Sequence, residues 1–158
     1  MATSSVTAAQ AYKAALVDAM TALVAGAEVL VTFGHPGVDV VNWKDVVSFA
    51  DTTSAQATAT MSASNRSREE TLTQKVWVSC ERGGEQDQER VASDAAYALL
   101  GLLERHVRVT DTTLGGVVRD CFLTSHTSSG ETDPAFLAHG RLIEIEAEFT
   151  AHVRVTGP

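Results

Sequence analysis

The chain has 158 residues, a net charge of −8 and 44% apolar residues. That length fits one domain able to bury roughly 70% of its unfolded surface, and the composition excludes disordered, collagen-like and coiled-coil classes. The acidic balance argues against a protein that grips nucleic acid, since such binding comes largely from neutralising phosphates. No apolar run approaches the roughly 20 residues needed to cross a bilayer, and Met1 to Val6 lacks the basic-then-apolar order of a secretory leader, so no membrane association is expected. Cys80 and Cys121, the two cysteines, are too few for a disulfide framework and lack metal-ligand spacing; both are expected to be reduced thiols.

From about Thr7 to Ala25, Tyr12, Leu16, Met20, Leu23 and Val24 recur at helical spacing and predict a first helix. Thr7 and Gln10 stand as a capping box, and Gly26 supplies a left-handed stop. Glu28 to Phe33 is short, apolar and β-branched, as a buried strand requires, and Gly34, Pro36 and Gly37 break it. Trp43, Val47 and Phe49 then oppose Lys44, Ser48 and Ala50 as a second strand. Asp51 to Ser54 reads as a turn. A third strand follows, with Ala55, Ala57, Ala59 and Met61 opposite Gln56, Thr58 and Thr60. Alanine buries little area, so this hairpin gains less from the core than its neighbours and is expected to lean on another subunit.

Ser62 to Arg68 reads as a polar loop. In Glu70 to Cys80, Leu72, Val76, Val78 and Cys80 face one way and Thr73, Lys75 and Trp77 the other, which predicts a longer strand. Gly83 and Gly84 end it. A second helix is predicted over about Glu85 to Val107, with Val91, Ala95, Leu99, Leu102 and Leu103 buried. Its acidic start and basic end complement the helix dipole. After the turn at Leu114, Gly115 and Gly116 come a strand from Val117 to about Ser125 and a polar loop around Ser128, Ser129, Gly130 and Pro134. In the final strand Ile143, Ile145, Ala147, Phe149, Ala151, Val153 and Val155 fall on one face, and Glu144, Glu146, Glu148, Thr150, His152 and Arg154 on the other. This order predicts a single α+β domain over residues 1–158, with a mixed, mostly antiparallel sheet, two main helices on one face and a projecting hairpin and loop at about 44–69.

Chemistry is harder to find. None of His35, His106, His126, His139 and His152 has a Cys, His or carboxylate partner at ligand spacing, so no metal is expected. Glu144, Glu146 and Glu148 could pair as acid and base, but such a row needs only solvent or cross-strand cations such as Lys75, Arg119 or Arg141. The loop from Phe33 to Gly37 lacks the glycine and lysine order that cradles phosphates, and Cys80 lies in the apolar phase of its strand. No catalytic residue, cofactor or metal site is expected. Arg66 and Arg68 form a compact basic spot, read either as an exposed loop or as a contact with an acidic neighbour such as Glu144 or Glu146 of another copy.

The order of segments is the more informative feature. An Ala-rich first helix leads into Val29-Leu30-Val31-Thr32-Phe33, then come the Trp43 strand and the Ala-rich hairpin. The strand Glu70 to Val78, the helix with Ala95-Ala96-Tyr97-Ala98-Leu99-Leu100, the turn Thr113-Leu114-Gly115-Gly116-Val117-Val118 and the long closing strand follow. In this the chain resembles the lambda-type tail terminator, or tail completion, proteins of long-tailed phages; the loop from Thr132 to Gly140 is longer than that pattern.

The resemblance implies a non-enzymatic structural virion protein. Such a protein forms a ring, usually hexameric, that caps the tail tube, ends its polymerisation and joins the tail to the head connector. The partners would be copies of the chain, the tail tube protein and a head-closure protein. The place would be the tail or neck of a virion assembled in the bacterial cytoplasm. Ala55, Ala57, Ala59, Met61, Arg66 and Arg68 are the candidate contacts between copies. Glu144, Glu146 and Glu148 are candidates for an acidic lumen through which genomic DNA passes without specific binding. Another head–tail neck or minor tail protein is the nearest alternative. A small-ligand-binding or enzymatic α+β domain is the alternative of another class.

Overall fold

The computed structural model describes residues 6–59 and 67–156. In chain order it contains α1 (Ala9–Leu23), β1 (Val29–Thr32), a 3-10 turn (Gly37–Asn42), β2 (Asp45–Thr58), β3 (Arg68–Gly83), α2 (Asp87–Arg105), a π turn (His106–Thr110), β4 (Asp120–Gly130), α3 (Pro134–Leu137) and β5 (Gly140–Val155). The strands form one sheet in the order β1-β2-β3-β5-β4. Among the described residues only β1 and β2 run parallel; every other pair is antiparallel. The fold is the expected α+β class, with α1 and α2 packed on one face. No helix among the described residues is long and apolar enough to cross a membrane.

The core is built where helix and strand periodicities meet. Tyr12, Leu16 and Met20 form a fully buried stripe on α1, and the even-numbered side chains of β3 meet the odd-numbered ones of β5, as in Leu72↔Ala151, Val76↔Ala147 and Val78↔Ile145. Each large side chain buried there contributes about 1.5–3 kcal/mol. Tyr12 reaches through this layer to donate its hydroxyl to the Phe149 carbonyl at 2.8 Å, with Cys121 Sγ 3.4 Å away.

Several expectations change. Asp51 to Ser54 is not a turn: β2 runs on as one strand, with a bulge between Phe49 and Thr52. The fully buried Gln74 holds that bulge. Its amide nitrogen donates to the carbonyls of Ala50 at 3.0 Å and Lys75 at 2.8 Å, and its oxygen accepts the Thr52 hydroxyl. The strand bends instead of ending because the freed backbone groups find these partners. Trp43 precedes the strand and is 38% exposed. β1 is half-buried, not buried, because it lies at the margin of the sheet beside only the first part of β2.

On α2 the buried stripe is Ala92, Ala96, Leu99, Leu100 and Leu103, while Val91 and Leu102 are 44% and 42% exposed. Alanines at 92 and 96 let the helix lie close against β3 and β5, which rotates the larger apolar side chains outward. β4 runs further than expected, to Gly130, and the loop after it contains the short α3, whose first turn is capped by Asp133 accepting from the Ala135 N–H at 2.9 Å. The loop residues 60–66 that join β2 to β3 lie outside the described residues.

Candidate functional site

The face of the sheet turned away from α1 and α2 carries the polar rows. Glu144, Glu146 and Glu148 share this face of β5. Glu146 pairs with Lys75 at 3.3 Å, Glu148 accepts the Ser125 hydroxyl at 3.4 Å, and Glu144 stands opposite Ser79. Further along, Thr150 hydroxyl lies 2.9 Å from that of Thr124 and 3.5 Å from that of Thr73. Glu69 receives Arg119 at 2.7 Å and Arg154 at 3.2 Å, and His152 Nδ1 lies 2.7 Å from Asp120. Solvent-exposed pairs of this kind stabilise by about 0.2–1 kcal/mol each and serve mainly to fix side-chain positions.

At the β1 end of this face a cleft of about 630 Å³ is bounded by Gly34, His35, Pro36, Ser48, Trp77 and Glu144. Its cationic wall is already engaged: Lys13 Nζ donates to the Ala50 carbonyl at 2.9 Å and sits 4.5 Å from the centre of the Phe33 ring. His35 Nδ1 accepts the N–H of Gly37 at 2.9 Å, which ties the imidazole to its own loop. Among the described residues no side-chain hydrogen bond joins His35, Glu144, Ser48 and Ser79 to one another, and no group of three or more Cys, His, Asp or Glu side chains could hold a metal. The cleft is of a size that holds small ligands and offers hydroxyls, an indole face and a carboxylate.

A second cluster lies on the helix face. Glu70, 1% exposed, accepts the N–H of Ala8 at 2.8 Å, the amide of Gln56 at 2.9 Å and the hydroxyls of Thr7 and Ser54. Burial raises its pKa, but the hydrogen bonds from Ser54, Thr7, Ala8 and Gln56 together outweigh burial and hold the carboxyl below its ordinary value. These donors satisfy the carboxylate from within the protein, so the cluster is a cap on α1. Gln10 takes no part in it: the expected capping box is replaced by Glu70, with Thr7 also accepting the N–H of Ala9 at 3.1 Å.

The same cluster decides which way β2 faces beyond its bulge. Thr52, Ser54 and Gln56 point inward to Gln74 and Glu70, so Thr53, Ala55 and Ala57 point outward and are exposed. Ala59 is half-buried and its N–H donates to the Ser67 carbonyl at 2.9 Å. Met61 and Arg66 lie outside the described residues. Arg68 begins β3 opposite Thr58 and Val155, in the phase that faces the helices, away from the outward alanines. The structure therefore brings Ala55 and Ala57 together, and separately Glu144, Glu146 and Glu148.

Sequence reasoning missed two features. Phe122 is 49% exposed on the open face of β4, and β4 itself forms one margin of the sheet. The stretch around Ser128, Ser129 and Gly130 reads as a loop by composition, yet it continues β4 and is paired with β5; just before it, the ring of His126 packs edge-on against Tyr97 at 5.6 Å. Comparison of the chain with models of known protein families and with curated proteins returns no match.

Proposed function

We propose that this chain is a structural subunit that closes into a ring, of the phage tail terminator type: it caps the tail tube, ends tube polymerisation and joins the tail to the head connector within the virion. The observation that supports this reading most directly is the stretch Thr53 to Thr58, exposed throughout and without a charged side chain, in which Ser54 and Gln56 turn inward to Glu70 while Ala55 and Ala57 turn outward. A strand so arranged contributes little apolar burial to its own core and offers its outer surface to a partner. The ring is read as hexameric, with the Glu144, Glu146 and Glu148 face toward a lumen that repels DNA phosphates and lets the genome pass unbound. A ring structure with those three carboxylates on the outer wall contradicts that part of the reading.

The experiment is mass measurement with electron microscopy of the purified chain, alone and mixed with tail-tube subunits. The expected result is a closed ring seated at one end of tubes whose growth has stopped. Rings that bind a portal complex and leave tube length unchanged assign the chain to another neck component. A monomer under both conditions overturns the ring. A second reading, a small-ligand-binding or enzymatic domain, is favoured by the cleft between Trp77, Glu144 and the loop from Gly34 to Pro36; a bound small molecule perturbing Trp77 fluorescence would support it.

A further inference from the structure

Beside the outer side of the four-residue β1, two longer margins of the sheet are covered by no strand among the described residues: the outer side of β2 beyond Ser48, where β1 stops, and the outer side of β4. Open strand edges are templates for pairing, and monomeric proteins blunt them with Lys, other charges, Pro or a covering element. Such devices guard the first part of β2, which carries β1, the bulge and Lys13 on the Ala50 carbonyl. They cease at Thr52, past the bulge. Thr52 to Thr58 contains no Asp, Glu, Lys, Arg or Pro, and neither does Cys121 to Gly130 of β4.

The two margins also match in direction. β2 is antiparallel to β3, β3 to β5 and β5 to β4, so β2 and β4 point opposite ways. A second copy related by rotation about an axis near the strand direction therefore sets its β2 antiparallel to β4 of the first. Such a contact joins two different surfaces and closes into a ring when the rotation closes.

The side chains fit as well. Phe122 pairs across the sheet with Thr150, Thr150 with Thr73, and Thr73 with Thr53, so Phe122 and Thr53 occupy one row at opposite margins of the same face. Continued into the next copy, that row places the exposed Phe122 beside Thr53 and diagonal to Ala55, an aromatic ring against a β-branched and a small residue.

We infer that copies of this chain join through antiparallel pairing of the β2 edge, Thr52 to Thr58, with the β4 edge of the next copy, with Phe122 packed over Thr53 and Ala55. This inference rests on the ring reading above and names the contact that closes it.

The test compares the wild type with Ala55→Glu, Phe122→Lys and the double variant by native mass measurement and electron microscopy, with circular dichroism confirming the fold of each. Both substituted positions are exposed. Each single variant is expected to lose the ring at concentrations where the wild type is fully assembled. The double variant is expected to regain it, because every contact then carries one Glu and one Lys. Rings that persist in both single variants, or a double variant that stays dissociated, overturn the edge pairing and leave the ring reading standing. A wild-type chain that never assembles overturns both.

Discussion

The carboxylate of Glu70 accepts the backbone N–H of Ala8 at 2.8 Å across 62 positions of sequence, so a side chain on β3 caps the first turn of α1. The same carboxylate gathers Ser54 and Gln56 from β2. One buried charge therefore fixes the start of a helix and the orientation of a neighbouring strand. Glu70→Ala leaves the N–H of Ala8 without its partner and is expected to cost about 3 kcal/mol in chemical denaturation. A loss no larger than that of an exposed control on the sheet would show that the cap is dispensable.

The pH dependence follows from the same site. The folded carboxyl titrates below its ordinary 4.5, so its contribution is complete above that pH and is lost as pH falls through the lower, folded pKa. Glu70→Gln is expected to flatten the acid limb of the stability profile below pH 4.5 and to leave the slope near neutrality unchanged. Parallel acid limbs for the two proteins would contradict the depressed titration.

Leu99→Ala is expected to cost about 2–5 kcal/mol, since Leu99 is 8% exposed within the main core. Glu146→Ala removes an exposed partner of Lys75 and is expected to change stability by less than about 0.5 kcal/mol. Equal losses would mean that the buried and exposed positions are wrongly assigned.

Two glycines give opposite signs. At Gly140 an added Cβ meets the Arg82 carbonyl at 2.8 Å and Gly83 Cα at 3.4 Å, backbone atoms of a paired strand, so Gly140→Ala is expected to destabilise by about 1–3 kcal/mol. At Gly101, exposed on α2 with nothing within 4 Å, Gly101→Ala is expected to stabilise by up to about 1 kcal/mol. Thermal unfolding of the pair reads both shifts, and shifts of like sign would refute the contrast.

Both thiols are protected. Burial, with Asp45 adding, pushes Cys80 up to about 12, and burial, opposed by the Tyr12 hydrogen bond, pushes Cys121 up to about 11. Alkylation at pH 8 is expected to modify neither cysteine in the folded protein and both after denaturation. Rapid labelling of the native chain would show an opening that reaches the core.

The alternation of β5 was legible because every one of its side chains faces either the core or the open face, and a period of two reports that directly. The stripe of α1 was legible for the same reason at period 3.6. On α2, Leu99 and Leu103 were legible, whereas Val91 and Leu102 stood in for Ala92 and Ala96 because they outrank alanine on any hydropathy reading. The close approach of the sheet, which favours alanine there, has no local signature. The continuity of β2 through Asp51 to Ser54 and of β4 to Gly130 was hidden too, since a short polar run is read as a turn or loop until a partner strand is in place.

What the sequence by itself determined was the set of long elements, the α+β class and the acidic row on β5, all of them consequences of side-chain period along the chain. Only the tertiary structure decided that Glu70 caps α1, that Gln74 turns a supposed loop at Asp51 into a bulge, and that Ala55 and Ala57 face outward. Each of these depends on a hydrogen bond between segments distant in sequence, and a buried polar group takes whichever partner folding brings within reach.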